Sequence, residues 1–360
     1  SVGRKGSLAG LSDNELFKRL FWQRNDEDEG LLSAAEVCAL VYSFDGENDS
    51  GELKSLASLA DISVRQLRRL VSLLESRGLV QRRGIWRAIL PHAIANRLAA
   101  DALKYVSYGS IERQIVAQDP SVSDELRLLR SFSRRLGYLH GSEEAREIVG
   151  QWLSPDGLLG VAPESDRWSL YTELLNNVAP VDPKRALEGV ERLVGNGSAD
   201  VVIERYKSSI GAGFLEGYRK GGDPNIMLAA YKEDESLRKG RDRVITLIRS
   251  IAYYEDLFGR CLDVLLKFAV AEEKGRLIFD RQGPACEILE SMFFVVLSGT
   301  LAKTGLRLKW LDDALRGSDE AVRSIACRCL SNALESQGFS SFYNFDFGAR
   351  ERDSGWRPSK

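Results

Sequence analysis

Residues 63–92 read SVRQLRRLVSLLESRGLVQRRGIWRAILPH, and the architecture of the first part of the chain is written in them. Val64, Leu67, Leu70, Val71 and Leu74 recur at i, i+3, i+6, i+7 and i+10, the spacing of a single apolar stripe on a helix. Ser63 stands where an N-cap oxygen belongs, and Gly78 where a left-handed helix terminator belongs. Residues 79–89 follow as two short strands about a tight turn at Arg83-Gly84, with β-formers on the return strand. Pro91 stops this hairpin, and residues 92–106 run on as an Ala/Leu helix.

Upstream, residues 52–60 form a short helix that Asp61-Ile62 separates from the striped one. Residues 31–44 read as an apolar helix, followed by an acidic loop at 45–51. A first helix opens at Ser12 on the capping-box pattern Ser12-Asp13-Asn14-Glu15, with Leu16, Phe17, Leu20 and Phe21 along one face. Residues 25–30 (NDEDEG) break it. Helix, helix, helix, hairpin is the order of a winged helix-turn-helix.

Downstream the strand signal nearly vanishes. Residues 123–139, 142–153, 167–178, 183–194, 201–208, 225–230, 241–258, 260–271, 284–297, 306–315 and 318–334 all read as helices. Clusters of Gly, Pro or Asp separate most of them. Near the end, Val322, Ile325, Ala326, Cys329, Leu330 and Ala333 make one face, resembling the second helix of a HEAT repeat. The expected fold class is mainly α: a winged helix-turn-helix followed by an irregular α-solenoid of HEAT/TPR-like helix pairs. Four regions are expected: a flexible N-terminal segment at 1–11, a winged-helix domain at 12–106, a helical-repeat domain at 107–338, and an aromatic tail at 339–360. That tail carries Phe339, Phe342, Tyr343, Phe345, Phe347 and Trp356; sealing the open end of the last repeat is the usual role of such a cluster.

At 360 residues the chain is too long for one core. Hydrophobic residues at 44% and charged residues at 28% describe an ordinary globular protein. The net charge of -2 leaves no bulk field to recruit nucleic acid or membrane. No apolar run reaches the roughly 20 residues that span a bilayer, and no signal-peptide pattern opens the chain. Five scattered cysteines without metal-ligand spacing read as reduced, buried thiols, so a cytoplasmic location is expected. The start at Ser1, on a Gly/Ser/basic stretch without an initiator Met, reads as the edge of a larger polypeptide or as a processed terminus.

Chemistry has little to stand on. No phosphate-binding G-x-x-x-x-G-K-[ST] loop occurs, and Gly211-Ala212-Gly213 lies in a helical stretch without a preceding strand. A serine elbow and an H-E-x-x-H zinc helix are also absent, and the only histidines are His92 and His140. No catalytic residue, metal site or cofactor is therefore expected in this chain. The strong electrostatic feature is a basic face. Arg65, Arg68 and Arg69 lie opposite the apolar stripe, and Arg82 and Arg83 follow in the hairpin. Such a face suits duplex nucleic acid, an acidic partner, or plain solvent. His92 opens a helix, where free N–H groups and the dipole favour anions; on the residues alone, a capping or packing histidine is the commoner reading.

One resemblance bears on these choices. Directly after the hairpin, Leu90-Pro91-His92-Ala93-Ile94-Ala95-Asn96-Arg97-Leu98-Ala99 resembles the Met-His-Asp motif region of the STAND NTPases, with Pro91 and Ala93 in place of the Met and the Asp. Residues 11–17 (LSDNELF), 134–140 (RRLGYLH) and 347–350 (FGAR) look most like the bacterial antiviral members. The resemblance implies that His92 senses the β-phosphate of ADP and helps to hold a closed resting state. It further implies an ATPase core, with ATP or ADP and Mg, ahead of Ser1 in the intact polypeptide. That core and a protein ligand, phage-derived in a defence setting, would be the partners, with oligomerisation on activation. The alternative is a winged-helix DNA-binding transcription regulator with a helical ligand or dimerisation domain. A plain helical scaffold is a third reading.

Overall fold

The computed structural model describes residues 21–23, 26–27, 29–49, 51–116, 125–161, 167–195, 224–275, 283–295, 297–335 and 346–357. The segment at 1–11, the first expected helix up to residue 20, the helix expected at 201–208, the glycines at 211–213 and Phe339, Phe342, Tyr343 and Phe345 lie outside them. The chain is mainly helical, with a small three-stranded sheet. It divides into two compact units, Ser1–Ala145 and Arg146–Lys360, and the boundary expected at 106 falls inside the first.

The first unit opens with the antiparallel pair β1 (Trp22–Gln23) and β2 (Asp26–Glu27). Then come α1 (Glu29–Ala39), β3 (Phe44–Asp45), α2 (Glu52–Leu59), α3 (Val64–Ser76), β4 (Val80–Arg83), β5 (Trp86–Ile89) and α4 (His92–Leu103). A short α5 (Tyr108–Ile111) passes into a π-helical turn, Glu112–Val116, and α6 (Glu125–Leu136) follows. The sheet order is β3-β5-β4, all antiparallel, with Phe44 opposite Arg87, Asp45 opposite Trp86, and Val80 opposite Ile89.

Residues 31–44 are not the single helix expected of them: α1 ends at Ala39, and Phe44 and Asp45 become the third strand of the sheet. Val41, Tyr42 and Phe44 are β-formers, and the Tyr42 N–H donates to the Ser131 carbonyl (3.0 Å) instead of continuing the helix. The ends of α3 follow the sequence closely. Ser63 accepts from the Gln66 N–H at 3.2 Å. At the other end Gly78 (φ +73°) and Leu79 return their N–H groups to the carbonyls of Glu75 and Leu74, both at 3.0 Å, the paired bonds of a Schellman terminus. Leu67 and Leu74 from α3 are fully buried with Leu31, Val37, Phe44, Leu56, Ile89 and Leu98, each removal from water worth about 1.5–3 kcal/mol.

The second unit is built from helices: α7 (Glu143–Trp152), which enters it from the first unit, α8 (Trp168–Val178), α9 (Pro183–Gly195), α10 (Pro224–Ile251), α11 (Glu255–Gly275), α12 (Pro284–Ser291), α13 (Thr304–Arg316) and α14 (Glu320–Ala333). The separate helices expected at 225–230 and 241–258 are one element, α10, which stops at Ile251. The intervening YKEDESLRKG is polar but rich in helix formers, and its single Gly240 costs only about 1 kcal/mol. α10 packs on α8 and α11, α11 on α12 and α14, and α13 on α14. On α14, Asp319 caps the start, and Ile325, Ala326 and Cys329 from the expected apolar face are buried.

Residues 346–357 bind back to this unit. Phe347 is buried, the Arg350 guanidinium donates to the carbonyls of Pro180 and Val181, and Arg352 donates to the Ser250 carbonyl at 2.7 Å. The Trp356 N–H donates to the Thr300 carbonyl (2.7 Å). Among the described residues no helix is long and apolar enough to cross a membrane.

Candidate functional site

His92 is the first residue of α4, and its ring is exposed. Its Nε2 is 3.2 Å from the Tyr42 hydroxyl, and the two rings stack with centroids 5.0 Å apart. Tyr42 also meets the Arg134 guanidinium, 3.8 Å from its ring centroid, and the Arg135 guanidinium at 5.4 Å. Tyr138 stacks on it at 6.2 Å. The site is thus assembled from three stretches distant in sequence: the turn after α1, the start of α4, and the C-terminal end of α6.

What holds α6 there is the chain after α1. Ser43 N–H donates to Ser131 Oγ at 2.9 Å, and that hydroxyl donates to the Ser43 carbonyl at 2.5 Å. Arg127 grips the buried Glu52 carboxylate with both Nε (2.6 Å) and Nη2, and the same carboxylate accepts from the Asp45 N–H at 2.6 Å. The Arg127 guanidinium also lies 3.9 Å over the Trp86 ring. These bonds set Arg134 and Arg135 beside Tyr42 and His92.

Beside this cluster is an open groove of about 740 Å³, lined by Tyr42, Ser43, Gln81, Arg83, Trp86, Arg87, Ala88, Leu90, Pro91 and His92. No lining residue is acidic. Arg87 is matched by Glu47 (2.7 Å) and Glu75 (3.6 Å), but among the described residues Arg83 and Arg134 are exposed and form no ion pair. Arg135 is wholly buried (0% exposed). It donates from Nη1 to Asn96 Oδ1 at 2.6 Å, while its Nε and Nη2 find no hydrogen-bond partner among the described residues. Burial pushes its pKa down to about 10, so it stays a cation at neutral pH. His92 titrates below the usual imidazole range, first because its ring is partly desolvated, then because of the charges of Arg135 and Arg134. Pro91 occupies the N-cap position of α4 and supplies no side-chain cap to the first-turn N–H groups. An imidazole and two exposed guanidinium groups at the start of a helix have the chemistry to accept an anion.

No protein-family model, curated protein or solved structure matches the chain. The residues themselves therefore carry the functional reading.

Of the residues that stand out in the sequence, the structure brings His92 and Arg83 to one groove. Arg65, Arg68 and Arg69 do not line it. Arg65 and Arg69 are exposed on α3 without an ion pair among the described residues, whereas Arg68 is bound to Asp49 and Arg82 reaches Glu47 at 3.3 Å. Tyr42, Trp86, Arg127, Arg134 and Arg135 join the site without having stood out. Tyr42 is hidden in a stretch that reads as helix. The pair Arg134-Arg135 is visible as a basic helix end, but nothing local links it to residue 42 or 92.

The cysteines are all free: Cys38, Cys261, Cys286 and Cys329 are buried, and Cys327, against expectation, is exposed. Burial pushes Cys38 and Cys286 up to about 12, leaving them thiols rather than thiolates. Among the described residues no His/Cys/Asp/Glu group could hold a metal ion.

Proposed function

We propose that this chain is the regulatory and sensor region of a cytoplasmic, STAND-type signalling ATPase used in antiviral defence. In this reading the first unit is a winged helix that docks on an ATPase core of the same parent polypeptide, and His92 meets the phosphate of bound ADP. The observation that carries it is the exposed His92 ring in the groove, near the exposed guanidinium groups of Arg83 and Arg134, which form no ion pair among the described residues. An anionic phosphate at the start of α4 would accept hydrogen bonds from the imidazole and from Arg83 or Arg134 and relieve their mutual repulsion. The order helix, strand, helix, helix, hairpin with sheet order β3-β5-β4 supports the winged-helix assignment. Helices packed in sequence, α10 on α11 and α13 on α14, support a repeat array in the second unit, whose surface suits a protein ligand, phage-derived in this setting. Ligand and nucleotide are then linked, because each favours a different arrangement of the parent protein. In this proposal ATP or ADP and Mg belong to the core and the chain itself performs no catalysis. In the full-length ATPase, His92→Ala is expected to raise basal activity; unchanged basal activity would remove the sensor role.

A second reading has its own support. α3 exposes Arg65, Gln66, Arg69, Ser72 and Ser76, a helix face without any aliphatic or aromatic side chain, next to Arg82 and Arg83 on the hairpin. Arginine and glutamine are the side chains that read base edges and hold phosphates, so this face fits duplex DNA. It predicts salt-dependent duplex binding, lost when Arg65, Arg68 and Arg69 become Ala.

A further inference from the structure

The basic face of α3 and the hairpin is already partly occupied by the chain's own acids. The loop between β3 and α2 folds back through Asp45 Oδ1, which accepts from the N–H groups of Glu47 (2.8 Å) and Asn48 (3.3 Å). Gly46 N–H donates to the Ile85 carbonyl at 2.8 Å, pinning the loop to the hairpin tip. From there Glu47 Oε1 accepts from Arg82 (3.3 Å) and from Arg87 (2.7 Å). Arg68 donates to the Glu47 carbonyl at 2.8 Å and is paired with the Asp49 carboxylate. One four-residue loop thus reaches α3 and the hairpin at once, pairing with Arg68 on the helix and with Arg82 and Arg87 on the hairpin.

These contacts are not equal. Arg87 is buried and held by Glu75 as well, so it keeps a carboxylate when Glu47 moves away. Asp49 (69% exposed), Arg82 (56%) and Arg68 (39%) sit in water, where an ion pair holds only weakly and yields to a competing anion. On the same helix and hairpin, Arg65, Arg69 and Arg83 are exposed and without ion pairs among the described residues. The loop's carboxylates offer Arg68 and Arg82 the same charge that a backbone phosphate would offer them.

We propose that loop 46–49 is an intramolecular competitor for duplex DNA, with Glu47 and Asp49 occupying Arg68 and Arg82 until a polyanion displaces them. The inference rests on the duplex-binding reading above and adds its regulation. Displacing the loop exposes two further phosphate-binding cations and extends the contact from α3 onto the hairpin.

The test is fluorescence anisotropy of a labelled 20-base-pair duplex with the whole chain across a salt series. The loop variant Glu47→Gln with Asp49→Asn is expected to bind roughly tenfold more tightly, with a similar slope of log affinity against log salt because both complexes make the same phosphate contacts. Asp49→Asn alone, which touches no buried group, is expected to give a part of that gain, roughly threefold. The charge control Glu112→Gln with Glu143→Gln, at two exposed acids outside the loop, is expected to change affinity less than twofold. Equal affinity of wild type and both loop variants, or an equal gain in the charge control, overturns the competitor and leaves the duplex-binding reading standing. Absence of salt-dependent binding in every form overturns both.

Discussion

The imidazole of His92 is harder to protonate than a free one. Partial desolvation, then Arg135 and Arg134, hold its pKa below the usual value near 6.5, so the folded chain resists a proton that the unfolded chain accepts. Above the unfolded pKa the ring is neutral in both states and has no effect; as pH falls from there through the folded pKa the unfolded chain takes up the proton more readily, and stability is lost. The urea midpoint of the chain should therefore drop between pH 7.5 and pH 5.5, and His92→Gln should make that drop shallower; an identical pH profile in the variant contradicts the charge environment described. His92 is legible in the sequence because a strand-to-helix junction shows in local residues. Its partner Tyr42 is not, since an apolar run from 31 to 44 satisfies helix periodicity and only pairing with residues 86 and 87 makes its end a strand.

Among the elements, α6 is the one whose place matters most. It is anchored by a guanidinium and a carboxylate that are largely withdrawn from water, Arg127 and Glu52. Removing one partner of such a pair leaves the other charge uncompensated, so Arg127→Met should lower the stability of the first unit by about 3 kcal/mol in urea denaturation. A loss below about 0.5 kcal/mol, the scale of an exposed pair, would show that α6 is not held this way. The end of α3 offers a smaller, sharper case. Gly78 has φ +73° and open space within 4 Å of where a methyl group would project, so Gly78→Ala meets only backbone strain, about 1 kcal/mol. The same denaturation series reads both. Caps and terminators such as Ser63 and Gly78 are legible because their chemistry is local, whereas the length of α10 is not: a polar decapeptide between two apolar stretches looks like a linker until the helix continues through it.

At the scale of the molecule, the first unit runs to Ala145 rather than to the end of α4. A basic helix at 125–136 shows the same local pattern whether it belongs to the sheet-bearing unit or to the array that follows, and its long-range anchors at Ser43 and Glu52 are invisible in sequence. Residues 1–145 expressed alone should then unfold in one cooperative step, while residues 1–106, lacking α6, should be markedly less stable; equal midpoints for the two fragments would show that α6 adds nothing. The proposed function depends at this scale on the groove beside His92 receiving an anion. The direct measurement is the NMR signal of the His92 ring in the whole chain, titrated with ADP and with inorganic pyrophosphate. An anion site there predicts a saturable shift and a rise in the His92 pKa, both lost in an Arg134→Ala, Arg83→Ala double variant. A His92 resonance that neither ligand moves at millimolar concentration would contradict it.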